Sequence, residues 1–241
     1  SNGHSKYRKD LPYWLISSYQ QTAQWDELLK YAEPIISTHP DLALLVAEVQ
    51  FKKGLYAKSA KSFDDYLKEH KNEAASYKKS YALYSVDKYE EAIKAISGLL
   101  KQDSLGQKAY YLQGLAYLKL GKKTEAAASF TQSGALAFDA SQQEEAQFKS
   151  ISISVDIGKW SESLLAIERF GKTYPKSSFT AAYQSFAADA ILKLPALKPA
   201  TTFIKSGIPV SEEMKVAYQT LTYNVGIKAY NQEQYKEAIT Y

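Results

Sequence analysis

The chain has 241 residues, 45% hydrophobic and 23% charged, with 30 Lys and Arg against 26 Asp and Glu for a formal net charge of +4. Both signs are interspersed along its length, a balance too weak and too dispersed to argue for nucleic acid or an anionic membrane as partner. The absence of cysteine excludes disulfides and thiolate metal sites, and no apolar run approaches the roughly 18 residues needed to cross a bilayer.

Residues 1–8 read as a tag remnant and lead-in. Ser1-Asn2-Gly3 has the form of a protease scar, with no initiator Met or signal-peptide pattern, so the natural N terminus and any targeting signal are expected to lie elsewhere. Tyr13, Ile16 and Tyr19 open the first predicted helix, and Trp25 to Ile36 makes its partner. Thr38-His39-Pro40 ends that pair, since proline cannot continue a helix. Asp41 to Lys53 is the next first helix, broken at Gly54, with Leu55 to His70 as its second. Glu73 to Ser85 and Asp87 to Leu100 follow, with Asp87 and Glu90 spaced as a capping box. Then Tyr110, Gln113, Gly114 and Tyr117 fall at i, i+3, i+4 and i+7, Gly121 breaks the helix, and Ala126 and Phe130 share one face of the next. Ser141 and Glu144 again have capping-box spacing. Gln147, Ile151 and Ser154 lie on one face, Gly158 breaks, Trp160 opens a second helix and Tyr174-Pro175 closes it. Ser177 to Leu194 is a clear apolar helix. Its successor, near Ala196 to Ser206, carries Pro195 and Pro199 and fits the pattern poorly. Ser211 to Tyr230 is another first helix, and Tyr235-Lys236-Glu237-Ala238 matches Tyr89-Glu90-Glu91-Ala92. The chain stops at Tyr241, inside the second helix of that pair, so the natural protein is expected to continue.

These segments share a period. Phe63 follows Gly54, and Phe130 follows Gly121, by nine residues. Ala92 and Ile96 precede Ala126 and Phe130 by 34, Ser59 takes the place of Ala126 two units earlier, and Ser163 lies 37 after Ala126. The longer step implies an insertion at Phe138-Asp139-Ala140. Two short helices, a glycine turn, small residues where the helices approach and aromatics filling the gaps resemble the tetratricopeptide repeat, a 34-residue helix–turn–helix unit. The resemblance implies an all-α fold, a right-handed α-solenoid of antiparallel helix pairs. Five repeats would span 9–175, a degenerate helix pair 176–209, and a truncated seventh repeat 210–241.

No catalytic constellation is evident, and neither a cofactor nor a metal site is expected. His4, His39 and His70 are the only histidines, and the last two fall in consecutive inter-repeat turns. Of the acidic doublets Asp64-Asp65, Glu90-Glu91, Glu144-Glu145 and Glu212-Glu213, three are predicted at helix starts, where carboxylates offset the helix dipole. No phosphate-binding, dinucleotide-binding, zinc-protease or nucleophile-elbow motif occurs.

A second aromatic stripe is more informative. Three residues before the small or apolar packing residue of each first helix stand Tyr13, Leu44, Tyr77, Tyr111, Phe148 and Tyr223. They lie about 100° around the helix from Tyr110 and its equivalents. Tyr81, Tyr84, Phe51, Leu115, Leu118 and Tyr230 extend that face by one or two turns, and the degenerate repeat breaks it at Ser185. In the resembled family this face of the first helix lines a concave groove. Tyr77, Tyr81, Tyr84 and Tyr111 are therefore expected to share one patch, with rings more accessible than those of Tyr110 and Tyr117. Tyrosine suits a surface that must bind and yet stay wet. The Lys and Asn clamp by which some members hold a terminal carboxylate is replaced here by Tyr77, Tyr81, Tyr111 and Leu115. An apolar peptide segment or partner helix fits such a groove better.

The reading is a non-catalytic scaffold binding a peptide or protein partner in an aromatic-lined groove. The alternative is the sensing or docking arm of a larger envelope or regulatory protein, contacting other parts of the same full-length chain. Nucleic acid is not expected, since base-reading repeats need polar readers and a basic groove. The run Tyr174-Pro175-Lys176-Ser177-Ser178 resembles turns in bacterial envelope proteins of the family and tilts localisation toward a bacterial periplasm or cell envelope.

Overall fold

A single backbone device organises every helix pair but the one formed by residues 180–204. At Ala23, Gly54, Asp87, Gly121, Gly158 and Glu233 the chain enters the left-handed region, with φ between +54° and +80°. In every case the next residue's N–H donates back to a carbonyl five residues earlier, as from Leu55 to Gln50 and from Lys88 to Leu83, both near 3 Å. That bond closes the first helix by satisfying one of its orphan carbonyls, and the second helix starts two residues beyond the left-handed residue. Gly54, Gly121 and Gly158 thus sit in the turns between paired helices, as their spacing predicts.

The computed structural model describes residues 10–241; the protease-scar reading of Ser1-Asn2-Gly3 and the lead-in lie outside them. Among the described residues the chain is all-α, with no strand. The helices are α1 (Leu11–Gln21), α2 (Trp25–Ala32), α3 (Ala43–Lys52), α4 (Tyr56–Leu67), α5 (Glu73–Ser85), α6 (Tyr89–Ile96), α7 (Ser104–Lys119), α8 (Lys123–Ala135), α9 (Ala140–Asp156), α10 (Trp160–Thr173), α11 (Thr180–Leu192), α12 (Leu197–Ile204), α13 (Glu212–Asn231) and α14 (Tyr235–Ala238). They fall into two compact units, one ending at Lys101 and one spanning Gln102–Tyr241.

In the first unit, α2 packs on α3 and α4 on α5, so both of these second helices are held between two first helices. The second unit repeats this with α8 between α7 and α9, and α10 between α9 and α11. The contacts obey the turn-based numbering. Five residues after the left-handed residue in the first five of these turns a side chain is buried: Leu28, Ser59, Ala92, Ala126 and Ser163. Nine residues after it comes a second buried position: Ala32, Phe63, Ile96, Phe130 and Ile167. Seven before it stand Ile16, Ala47, Ser80, Gly114 and Ile151, also buried. Size is traded across the pair. Ile16 shares a cluster with Ala32, whereas Gly114 is so close to Phe130 that a Cβ there would meet the ring at 2.9 Å.

The two capping boxes do not form. Asp87 is the left-handed residue itself, and its carboxylate accepts from the Tyr89 hydroxyl rather than from a helix N–H. The helix carrying Ser141 is capped by Asp139, which accepts from Gln142 N at 3.0 Å. Glu144 and Glu145 therefore lie a turn inside α9, not at its start. Side-chain caps belong to first helices, with Asn72, Asp103, Asp139 and Ser211 as N-caps, while α2, α4, α6, α8, α10 and α14 start with no side-chain cap. Their entry is already dictated by the left-handed turn.

Candidate functional site

The same turn geometry builds an aromatic surface. It brings the residue three before the left-handed position against the residue two after it, and three of these pairs are ring pairs. Phe51–Tyr56, Tyr84–Tyr89 and Tyr230–Tyr235 have centroids 5.5, 5.6 and 5.5 Å apart, with planes inclined by 60–72°. Tilted and edge-on contacts are the favoured aromatic arrangement. In the first unit Tyr81 closes on the first pair, 5.6 Å from Phe51 and 6.0 Å from Tyr56. Tyr77 stands one turn before Tyr81 on α5. Beside these rings Lys78 on α5 pairs with Glu48 on α3 at 2.6 Å.

The phenols differ in environment. Loss of solvent, reinforced by Tyr81, pushes Tyr77 up to about 12. Tyr84 is also raised, by burial first and then by Tyr81 and Asp87. Tyr89 reaches about 12 chiefly because its hydroxyl donates to Asp87. All three are neutral near pH 7, so this surface offers ring faces and hydroxyl donors rather than a nucleophile. Within the first unit's ring cluster Tyr81 is the most open, with 37% of its surface exposed.

The other residues of the sequence stripe meet varied surroundings. Tyr13 is exposed, its hydroxyl donating to Asp41 at 3.0 Å and its ring edge-on to His39 at 5.7 Å. Leu44 packs against Ala47, Phe63 and Ala75. In the second unit Tyr111 lies edge-on to Phe130 at 5.4 Å and donates to Glu145 at 2.6 Å. Leu115 and Leu118 pack on the cluster around Ala126 and Phe130. Phe148 is stacked on Phe179 at 4.1 Å and on Phe186 at 5.7 Å, within the core of α9–α13. Tyr223 and Tyr230 are widely exposed and border an apolar hollow of about 400 Å³ with Ile227, Tyr235 and Ile239. Tyr110 and Tyr117 are half-buried, as Tyr111 is. The expected contrast is absent because Tyr111 and Tyr117 both pack against the cluster around Ala126 and Phe130. Tyr77, Tyr81 and Tyr84 belong to the first unit and Tyr111 to the second.

Tyr56 and Tyr89 complete the first unit's ring cluster and were not among the stripe residues. Their signal was present, since Trp25, Tyr56, Tyr89, Trp160 and Tyr235 all stand two residues after a left-handed turn. Among the described residues no group of three His, Cys, Asp or Glu is arranged to hold a metal. His39 Nδ1 lies 2.9 Å from the Thr38 hydroxyl, and His70 packs on Tyr66. No helix among the described residues is long and apolar enough to cross a membrane.

A tetratricopeptide-repeat family model matches residues 77–140, which contain Tyr77, Tyr81, Tyr84, Tyr89 and Tyr111. That stretch is built of tetratricopeptide repeats. The chain's fold is similar to that of a tetratricopeptide repeat protein from Parabacteroides merdae, at 14% identity and a TM-score of 0.54, covering 95% of this chain and 88% of that one. A TPR repeats protein from Bacteroides fragilis aligns over 87% of this chain and 97% of its own, at 15% identity and a TM-score of 0.42. The MamA protein aligns over 85% and 98%, at 16% and 0.47. No curated protein sequence matches. As a fold, stacked tetratricopeptide repeats are suited to protein–protein interaction, because the rows of helices expose extended surfaces.

Proposed function

We propose that this protein is a non-catalytic scaffold that binds a peptide or protein segment on the aromatic surface of α3–α6, with Tyr81 and Tyr84 as its principal contacts. The observation that carries this reading is the ring cluster of Phe51, Tyr56, Tyr81, Tyr84 and Tyr89. Its members recur at fixed distances from successive turns, and Tyr81 retains exposed ring surface. Aromatic side chains give large, stiff contact area and a polar hydroxyl, the combination enriched at interface hot spots. The same logic extends to Tyr77, Tyr13, Leu44, Leu115, Leu118, Tyr223 and Tyr230 as further partner contacts within their own units. Tyr111 and Phe148 contribute less in this reading, because their rings are engaged by Phe130 and by Phe179.

The test is selection of binders from a displayed random-peptide library on the whole chain, followed by affinity measurement against the double variant Tyr81→Ala, Tyr84→Ala. Selected peptides should be rich in apolar and aromatic residues, and the double variant should weaken them by at least about tenfold while its circular dichroism is unchanged. Selected peptides that bind the folded variant as well as the parent would remove the surface from consideration.

A further inference from the structure

A second surface lies over three of these four helices but uses different residues. Between α4 and α6, with α5 as its floor, runs a cleft of about 820 Å³, toward the upper end of the ~300–1,000 Å³ of ligand clefts. From α4 it takes Ala57, Ala60, Lys61 and Asp64, at i, i+3, i+4 and i+7, and from α6 and its N-cap Lys88, Glu91, Lys94 and Ala95, at i, i+3, i+6 and i+7. Each set is one face of its helix, and alanines on both faces leave the space between them. Leu83 of α5 and its C-cap Val86 form an apolar base, and Lys79 stands beside them.

The charges around this base do not cancel. Lys79 pairs with Asp64 at 2.5 Å and Lys88 with Glu91 at 3.0 Å. Lys61 and Lys94, both exposed, make no ion pair or side-chain hydrogen bond among the described residues. The second unit supplies an internal comparison. At the same distances from its turn, α10 presents Ser161, Leu164, Leu165 and Glu168 to a cleft against α12. There the position of Lys61 is taken by Leu165, and the hollow is only about 270 Å³. The positive rim is thus supplied by the first unit's own side chains, Lys61 and Lys94.

We propose that the α4–α6 cleft docks an acidic amphipathic helix of a partner protein, whose apolar stripe rests on Ala60, Leu83, Val86 and Ala95 while its carboxylates pair with Lys61 and Lys94. The observation behind the choice of occupant is charge complementarity, two unpaired lysines flanking an apolar base between helices. Helix-in-groove docking needs an apolar strip with polar flanks, and oppositely charged rims fix which partner is accepted. This surface is separate from the aromatic one, so each proposal stands or falls independently.

The probe is a labelled synthetic helix with Leu and Ala at i, i+3, i+4 and i+7 and Glu at the flanking positions. Its control has Lys in place of every Glu. With the whole chain, the acidic peptide should bind with an affinity that falls as salt rises, shifting the amide resonances of Ala60, Val86 and Ala95, and the control should not bind. Two folded variants separate the contributions: Lys61→Glu with Lys94→Glu reverses the rim, and Ala57→Phe fills the cleft without altering charge. Each should weaken the acidic peptide by about tenfold or more. Four results would each overturn the proposal: no binding of the acidic peptide, equal binding to either variant, shifts confined to Tyr81 and Tyr84, or heparin or anionic phosphatidylserine vesicles binding as tightly and without regard to Ala57→Phe.

Discussion

At the scale of single residues, one buried polar side chain joins two elements without any sequence pattern to mark it. Gln107 is fully buried in α7, and its amide donates to the carbonyls of Leu136 and Asp139 at 2.8 and 3.0 Å while accepting from Asp139 N at 2.8 Å. It thereby holds the loop that joins α8 to α9. Gln107→Leu keeps the volume and strands those loop groups, so it should cost about 2–3 kcal/mol, read as a lower denaturant midpoint. Ala23 is the opposite case. It holds φ +54° where three sister turns use glycine, and an L-residue there is strained. Ala23→Gly should stabilise the chain by about 0.5–1 kcal/mol. Tyr77 gives a pH signature. Its folded pKa of about 12 exceeds the ordinary 10.0, so the unfolded chain loses that proton first. The stabilisation is intact below about pH 10 and is lost as pH rises from there to about 12. Tyr77→Phe should flatten the fall of melting temperature over that window, and an unchanged slope would place the desolvated phenol elsewhere.

At the scale of elements, stability rests on how each helix pair divides volume between two positions. α7 and α8 set Gly114 under Phe130, and nothing larger than hydrogen fits without displacing the ring. Gly114→Ala should therefore cost about 1–3 kcal/mol by overpacking, although alanine is the better helix former. Phe130→Ala empties a position with no exposed surface and should cost roughly 3–5 kcal/mol. The more exposed Tyr81→Ala should cost at most about 1 kcal/mol. Urea denaturation of the three variants checks the order, and a loss for Tyr81→Ala as large as that for Phe130→Ala would make the ring cluster core rather than contact surface.

At the scale of the whole molecule, burial is unevenly shared between the elements. The second unit's largest core joins α9 through α13 around Ile167, Phe170, Tyr183 and Met214. By contrast α14 has four residues and none of them is buried, with Ile239 just beyond it 85% exposed. Helices with so little buried apolar contact open at the lowest free energy. The amides of α14 should exchange with solvent faster than those of α4, α8 or α10. The apolar hollow beside α14 should also be the chain's stickiest surface. Tyr235→Lys with Ile239→Lys should lower self-association in concentrated solution, as read by light scattering, and leave the melting temperature nearly unchanged.

The repeat was legible in the sequence because it is a local property. Glycine at Gly54, Gly121 and Gly158 marks left-handed turns by conformational freedom alone, and buried residues recur at fixed steps from those turns. Helix order and the burial of Ala92, Ala126, Phe63, Ile96 and Phe130 follow from that spacing. Neighbouring elements decided the rest. Asp87 and Ser141 have the composition of caps, but the turn had already placed Asp87 in the left-handed region and Asp139 had already capped α9. The stripe residues share one angular position, yet Phe148 meets Phe179 whereas Tyr81 faces partly open solvent. Periodicity assigns a residue to a face of its own helix. What lies opposite that face depends on the side-chain volumes of the adjoining helices, which only the packed chain brings together.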